Sequence, residues 1–489
     1  MEPAADKAKA DPSPQASFPT YETLGVRPLI NCQGTYTILS GSLALPEVVQ
    51  AMAEATKHYV HLDELMDQAG ERLAELTGAE WGLVTSGCAA ALCQVTASCV
   101  AGSDPEKIAR LPDCSGMKNE VIVQKRHRHT YDHAIRTVGV KMIEVVTRAD
   151  LEAAISDRTA MFAFLGDAGD RGEISLREMA EIGHRHGIPT LVDAAAERPD
   201  VPNRYLQEGA DVVAYSGGKC LRGPQASGLV LGRKDILKAA FLHGAPHHAL
   251  GRPMKVGKEE IMGLLAAVEK WAQRDHEAEW KQWEAVLQHI QEAIAGIPTV
   301  RTEVVQPGRS NVAPTLSIFW DEETLKIPPR QAQETLLKGA PRIEVPTIQG
   351  GLSIMPYMME PDEEQIVAQR LKEILGGAQK SKEAIEERGT SADVAGSWKI
   401  LIQFLRGTSH HSATIEQKGN QLSGRYCSQF SRTELEGTVV GNDIQMHVAI
   451  RHEGSGVQYD YTGQVEGDTM RGMLDLGEYW TAQWTAERV

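Results

Sequence analysis

Between Trp81 and Gly232 short apolar runs alternate with stretches of helical periodicity. Trp81–Thr85, Val121–Gln124, Thr159–Leu165, Pro189–Asp193, Asp211–Tyr215 and Gly228–Gly232 read as strands, with Ala89–Val100 and Leu176–His186 as helices among them. Strands separated by helices cannot pair as hairpins. They predict an α/β unit with a mostly parallel sheet and helices on both faces. In such a sheet, ligands sit beyond the carboxyl ends of the strands. The residues that follow these runs are therefore where chemistry is expected.

Two of those strand ends carry three complementary groups. Asp193 closes one run, Ser216 closes the next, and Lys219 follows in Ser216-Gly-Gly-Lys219, with Gly223-Pro224 just beyond. A lysine after two glycines is by itself an ordinary solvated turn. Beside an acid and a hydroxyl it gains a specific meaning. Pyridoxal phosphate (PLP) needs a carboxylate to keep its pyridinium nitrogen protonated, a hydroxyl for its phosphate and an amine for its imine. The expectation is that Lys219 holds PLP as a Schiff base opposite Asp193. The glycines at 217, 218 and 223 let the backbone turn tightly there.

Ser86-Gly87-Cys88 opens the helix after the first strand. A helix N-terminus built on small residues offers N–H groups and a positive dipole end to an anion, so the PLP phosphate is placed there. After the second strand comes His127-Arg-His129-Thr-Tyr131-Asp-His133. The spacing of these histidines mixes i+2 with i+4 and no carboxylate cluster follows, so no metal is expected. A flat side chain at this place can lie on the pyridine ring; His129 is the first candidate and Tyr131 the second. His133 and the remaining histidine are substrate contacts or solvated. Arg222 and a basic group at Arg252, Lys255 and Lys258 are candidates for anion contacts, either with a phosphate or with an acidic substrate. The alternative for the basic group is a solvated helix start.

The chain divides by pattern. Residues 1–17, rich in Ala, Pro, Asp and Lys, form a disordered lead with no signal-peptide core. Residues 18–295 form the PLP-binding large domain with its N-terminal segment, ending in one long helix over Glu259–Ala295. Residues 296–376 are a smaller α+β domain and 377–397 a linker. From 398 to 489 helical patterning stops. Eight short alternating runs between Ile400 and Ala486, separated by turns such as Lys418-Gly-Asn420, predict an antiparallel barrel or sandwich. This tail is expected to serve interaction or oligomerisation. The net charge of −16 argues against a general nucleic-acid surface. Seven cysteines without CxxC spacing fit reduced thiols in a cytoplasm. No apolar run reaches the ~20 residues of a membrane helix.

Ile30-Asn-Cys-Gln-Gly-Thr-Tyr-Thr-Ile38, Ala69-Gly-Glu-Arg-Leu-Ala-Glu-Leu-Thr-Gly-Ala79, Thr85-Ser-Gly-Cys88, Tyr131-Asp-His-Ala-Ile-Arg136 and Ser216-Gly-Gly-Lys219 occur in this order. Together they resemble the selenocysteine synthase-like group of fold-type I PLP enzymes, most closely its D-glucosaminate-6-phosphate ammonia-lyase branch. The resemblance runs from about Tyr21 to Leu375. It implies the aspartate aminotransferase-like fold, with Lys219 as the covalent lysine and Asp193 as the ring-nitrogen partner. It also implies phosphate contacts from Ser86, Gly87, Cys88 and Ser216, and Ala195 on the ring face opposite His129. It implies a homodimer or larger assembly and an elimination that releases ammonia from a hydroxylated amino acid or amino-sugar acid. An aminotransferase, racemase, aldolase or selenium transferase on aminoacyl-tRNA are the alternatives on the same scaffold. The tail from Trp398 and the loop Leu111–Asn119 depart from the group.

Overall fold

Seven strands form the largest open sheet of the chain: β1 (Trp81–Thr85), β2 (Glu120–Gln124), β3 (Lys141–Val145), β4 (Thr159–Leu165), β5 (Thr190–Asp193), β6 (Val212–Ser216) and β7 (Gly228–Gly232). Their order is β1-β7-β6-β5-β4-β2-β3. All neighbours run parallel except β7, which is antiparallel to both β1 and β6. The computed structural model describes residues 18–169, 171–308, 312–377 and 391–489. The expected lead over 1–17 and most of the expected linker, 378–390, lie outside the described residues.

The described chain separates into two units. One holds the seven-stranded sheet and, after residue 391, the tail. Its strands β1, β2 and β7 are buried throughout, because runs such as Trp-Gly-Leu-Val-Thr are apolar on both faces. Strand β3, at the edge and partly exposed, lacks that signature and escapes the apolar pattern. The helix Leu62–Thr77 lies tightly on β1: a Cβ at Gly70 would come 2.1 Å from the Trp81 ring. The helix Cys88–Ala101 is buried on nearly every side, which its Ala, Cys, Ser and Thr side chains permit.

The tail is a closed barrel of eight strands: β8 (Gly396–Gln403), β9 (Thr408–Lys418), β10 (Gln421–Cys427), β11 (Arg432–Val440), β12 (Asp443–His452), β13 (Ser455–Glu466), β14 (Thr469–Asp475) and β15 (Thr481–Arg488). Each strand pairs antiparallel with the next, and β8 closes on β15. The barrel outcome, rather than a sandwich, follows from that last pairing, which leaves no edge. Strict alternation sends Trp398, Ile400, Tyr426, Tyr461 and Trp484 inward, so the interior is a packed core. Gly419, Gly441 and Gly467 enter the left-handed region in the two-residue turns, as tight hairpins require. One polar chain is buried in this core: Ser409 Oγ bonds His411 Nε2 at 2.8 Å, His411 Nδ1 bonds the Tyr426 hydroxyl, and that hydroxyl bonds Tyr461 at 2.5 Å.

The other unit comprises residues 18–44, 218–225 and 273–377 among those described. An antiparallel sheet runs Thr347–Ile348, Gly351–Ile354, Thr315–Phe319, Arg301–Val305, and Leu29–Asn31 pairs in parallel with Arg342–Glu344. Helices His276–Ile294, Pro329–Lys338 and Glu363–Gly377 contribute Leu287, Ile290, Leu336, Val367 and Leu371 to its core. The single long helix expected over Glu259–Ala295 is two helices, Lys258–Trp271 and His276–Ile294. Asp275 is the reason. Its carboxylate accepts the Ala278 N–H at 3.0 Å and starts a new helix.

Candidate active site

The carboxyl edge of the seven-stranded sheet gathers most of the expected residues in one place. Asp193, the last residue of β5, is 6 % exposed. Its Oδ1 accepts the Ala195 N–H at 3.1 Å and lies 3.5 Å from the Cys88 thiol, which donates. Its Oδ2 lies 3.7 Å from His129 Nε2. The carboxylate is thus oriented from three directions: by its own following turn, by the first residue of the helix Cys88–Ala101, and by the loop beyond β2. The ladder between β5 and β6 continues past the strands, with Ala194 N–H on Ala214 O at 2.9 Å and Ser216 N–H on Ala195 O at 3.2 Å. Ala195 and Ser216 therefore stand side by side at the mouth of the edge.

Gly87 precedes the helix in a conformation (φ +101°) that favours glycine, and a Cβ there would meet open space. Thr85 Oγ1 donates to Gly87 O at 2.9 Å and shapes the turn. Gly228, on β7, must also lack a side chain, since its Cβ would lie 2.6 Å from the Gly87 carbonyl carbon. No side chain caps this helix. Its first-turn N–H groups point along the axis out of the helix start. The Ser86 hydroxyl donates to Met254 O at 2.9 Å, so in this structure it is engaged with backbone. A buried carboxylate, an uncapped helix start before open space and an imidazole beside the acid fit the ring nitrogen, phosphate and ring face of PLP.

Lys219 lies in the other unit, three residues along the chain from the end of β6. It is partly exposed, and its carbonyl accepts the Arg222 N–H at 2.9 Å. The turn is held from within that unit. Ser42 N–H donates to Gly218 O at 2.9 Å and Arg274 Nη1 to Cys220 O at 2.8 Å. A Cβ on Gly218 would come 2.5 Å from Gln225 Cα. Arg222, expected as an anion contact, sits in the left-handed region (φ +54°). Its guanidinium donates to Leu43 O at 2.9 Å and approaches Glu360 at 3.6 Å. In this structure it buttresses the lysine turn.

The histidine-rich loop sorts itself by burial. His127, read as solvated or substrate-facing, is buried: Leu165 N–H donates to its Nδ1 at 3.3 Å and Phe164 meets it edge-on at 4.5 Å. Burial lowers its pKa to about 4, which keeps it neutral. Tyr131 is 55 % exposed with its ring 6.1 Å from that of His129, and His133 is exposed. Of the basic group, Arg252 and Lys255 are exposed, while Lys258 donates to Ala55 O at 2.7 Å and pairs with Glu259. Sequence reasoning passed over Arg128 and Asp132. Arg128, its side chain 7 % exposed, binds Asp132 at 2.5 Å, Glu144 at 2.6 Å and Glu453, and Asp132 also meets Arg136 at 3.3 Å. The i, i+4 spacing of Arg128, Asp132 and Arg136 was the available signal.

The chain is similar to several known proteins. A 5'-C-glycyluridine monooxygenase-decarboxylase of Streptomyces sp is 32 % identical over 377 residues, spanning 73 % of this chain and 93 % of that protein. The D-glucosaminate-6-phosphate ammonia lyase of Salmonella typhimurium is 31 % identical over 368 residues, spanning 72 % and 97 %. An L-seryl-tRNA(Sec) selenium transferase of Edwardsiella ictaluri is 27 % identical over 291 residues, spanning 52 % and 58 %. The solved structure of a D-glucosaminate-6-phosphate ammonia-lyase superposes with a TM-score of 0.67 at 30 % identity, over 74 % of this chain and all of that one. The expected resemblance and fold class both hold, and these families imply PLP. With the aminotransferase class-V profile matching residues 46–315, ahead of the barrel, the chain belongs to the class-V aminotransferase family of enzymes.

Proposed function

We propose that this chain is a PLP-dependent lyase that releases ammonia from a hydroxylated amino acid or amino-sugar acid, leaving a 2-oxo acid. The observation that carries the reading is the Asp193 carboxylate, buried and oriented by Ala195, Cys88 and His129 at the end of β5. When bound, PLP would act as an electron sink for charge developing at the substrate α-carbon. Asp193 would hold the proton on the ring nitrogen that makes this possible, and its near-complete burial would strengthen that pairing. His129 would lie on one face of the ring and Ala195 on the other. The Gly87–Cys88 helix start and Ser216 would hold the phosphate. Lys219 Nζ would supply the amine that holds the cofactor and the base that takes the α-proton. Loss of the β-hydroxyl as water and hydrolysis of the nitrogen-bearing carbon then yield ammonia and the 2-oxo acid.

Similarity to the ammonia lyase in sequence and structure supports elimination over transamination. Similarity to the monooxygenase-decarboxylase, at 32 % identity, favours one second reading, an oxygen-dependent decarboxylation of an amino acid. A homo-oligomer fits the exposed Tyr59 and Val60 between the helices Pro46–Ala55 and Leu62–Thr77. The test is a screen of hydroxy amino acids and amino-sugar acids, with and without a 6-phosphate, run with PLP in air and under argon. Ammonia and 2-oxo acid in equal amounts under argon support the lyase. Carbon dioxide release that stops without oxygen supports the second reading. Borohydride reduction of the PLP-loaded protein should add the pyridoxyl mass to the peptide bearing Lys219; labelling elsewhere overturns the assignment.

A further inference from the structure

A turn of the barrel reaches the candidate site. Glu453 and Gly454 join β12 to β13, and Glu453 sits in the left-handed region (φ +53°), which few non-glycine residues adopt. Next to it, Gly454 packs on the backbone of His129. An added Cβ would lie 2.1 Å from the His129 carbonyl oxygen, 2.6 Å from its carbon and 2.7 Å from Asp132 Oδ2. Only a glycine permits this approach.

Glu453 completes the clamp. Its carboxylate bonds the Arg128 guanidinium, whose other nitrogens hold Asp132 at 2.5 Å and Glu144 at 2.6 Å. The Asp132 side chain is 2 % exposed and its N–H donates to His129 O at 3.1 Å. The residue before His129 and the residue three beyond it are thus fixed by one buried charge network with the barrel turn as a member. Removing one partner of a buried pair leaves an uncompensated charge, so such a network tolerates few alternative positions. His129 itself extends from this platform to within 3.7 Å of Asp193.

We infer that Glu453 and Gly454 of the barrel are positioning residues for His129, so that the appended barrel sets the geometry of the cofactor site. The inference rests on the reading of His129 as the residue that lies on the PLP ring. It gives the barrel a role in the site that neither its packed interior nor its outer face suggests.

The test uses the full-length protein loaded with PLP. Visible circular dichroism of the bound cofactor near ~420 nm reports the asymmetry of its surroundings, and titration gives its Kd. Four variants are compared with wild type: Gly454→Ala, Glu453→Gln, Glu453→Asp and His129→Ala. Gly454→Ala and Glu453→Gln are expected to change the dichroic band in the direction that His129→Ala does and to weaken PLP binding, by about tenfold for Gly454→Ala and by less than about fivefold for the partly exposed Glu453→Gln. Glu453→Asp restores most of the wild-type signal. Combining Gly454→Ala with His129→Ala adds nothing, because both act through one residue. Wild-type band and Kd in Gly454→Ala and Glu453→Gln, with His129→Ala altered, overturn the inference and leave the PLP reading standing. A silent His129→Ala overturns it as well. Failure of the wild-type protein to bind PLP overturns both. If Gly454→Ala does not fold, Glu453→Gln, which changes one exposed charge, decides the question alone.

Discussion

Cys88 and Asp193 lie 105 residues apart in sequence, yet the thiol of one donates to the carboxylate of the other at 3.5 Å. That contact ties the helix start proposed for the phosphate to the acid proposed for the ring nitrogen. The two proposed binding points are therefore tied together directly, between the end of β5 and the first residue of the helix Cys88–Ala101.

Replacing the acid tests this frame directly. Asp193→Asn preserves shape and removes the charge. It is expected to leave PLP bound while lowering kcat roughly a hundredfold or more, the usual scale for losing a preorganised electrostatic partner. Steady-state rates on the best substrate from the screen check this; a rate within threefold of wild type would remove Asp193 from the mechanism.

The turn before the helix makes a second prediction. Gly87→Ala meets no steric obstacle, since the Cβ would point into open space, but it forces φ +101° on an alanine. The strain costs about 1–3 kcal/mol. It should appear as weaker PLP binding and a lower unfolding temperature without cofactor. A Kd equal to wild type argues against the phosphate placement.

Arg128 and Glu453 share an ion pair but not its burial. Arg128→Met leaves Asp132 buried with only Arg136, and a loss of about 3–5 kcal/mol is expected. Glu453 is 36 % exposed, so Glu453→Gln should cost less than ~1 kcal/mol. Urea unfolding of the two variants compares them; equal losses would mean that burial is not what makes the network strong.

His127 predicts a pH dependence. Its folded pKa is lowered by burial to about 4 from the ordinary 6.5. Between those values the unfolded chain binds a proton that the folded chain refuses. Stability is therefore full above pH 6.5 and falls as the pH drops toward 4, by on the order of 3 kcal/mol from this group. His127→Asn should flatten that part of the stability profile, measured by urea unfolding at pH 7 and pH 4.5. An unchanged slope would assign the acid loss to other groups.

Much was legible in local pattern. Apolar runs on both faces announced buried parallel strands, and strict alternation announced the tail, because the periods of strand and helix are written residue by residue. The order of motifs carried the family, and the strand ends carried Asp193, Ser216 and Lys219. Edge strand β3 and the break at Asp275 were missed because each depends on a weak local signal.

The sequence by itself determined which residue types stand at each strand end, hence the chemistry open to the site. Only the tertiary structure decided that Asp193 meets Cys88 and His129, that Arg222 bonds Leu43 while His127 is buried, and that Gly454 packs on His129 across 325 residues. Sequence neighbours are fixed by covalent bonds, but contacts between distant segments are selected by packing and by the burial of charge. Neither leaves a mark in the local order of residues.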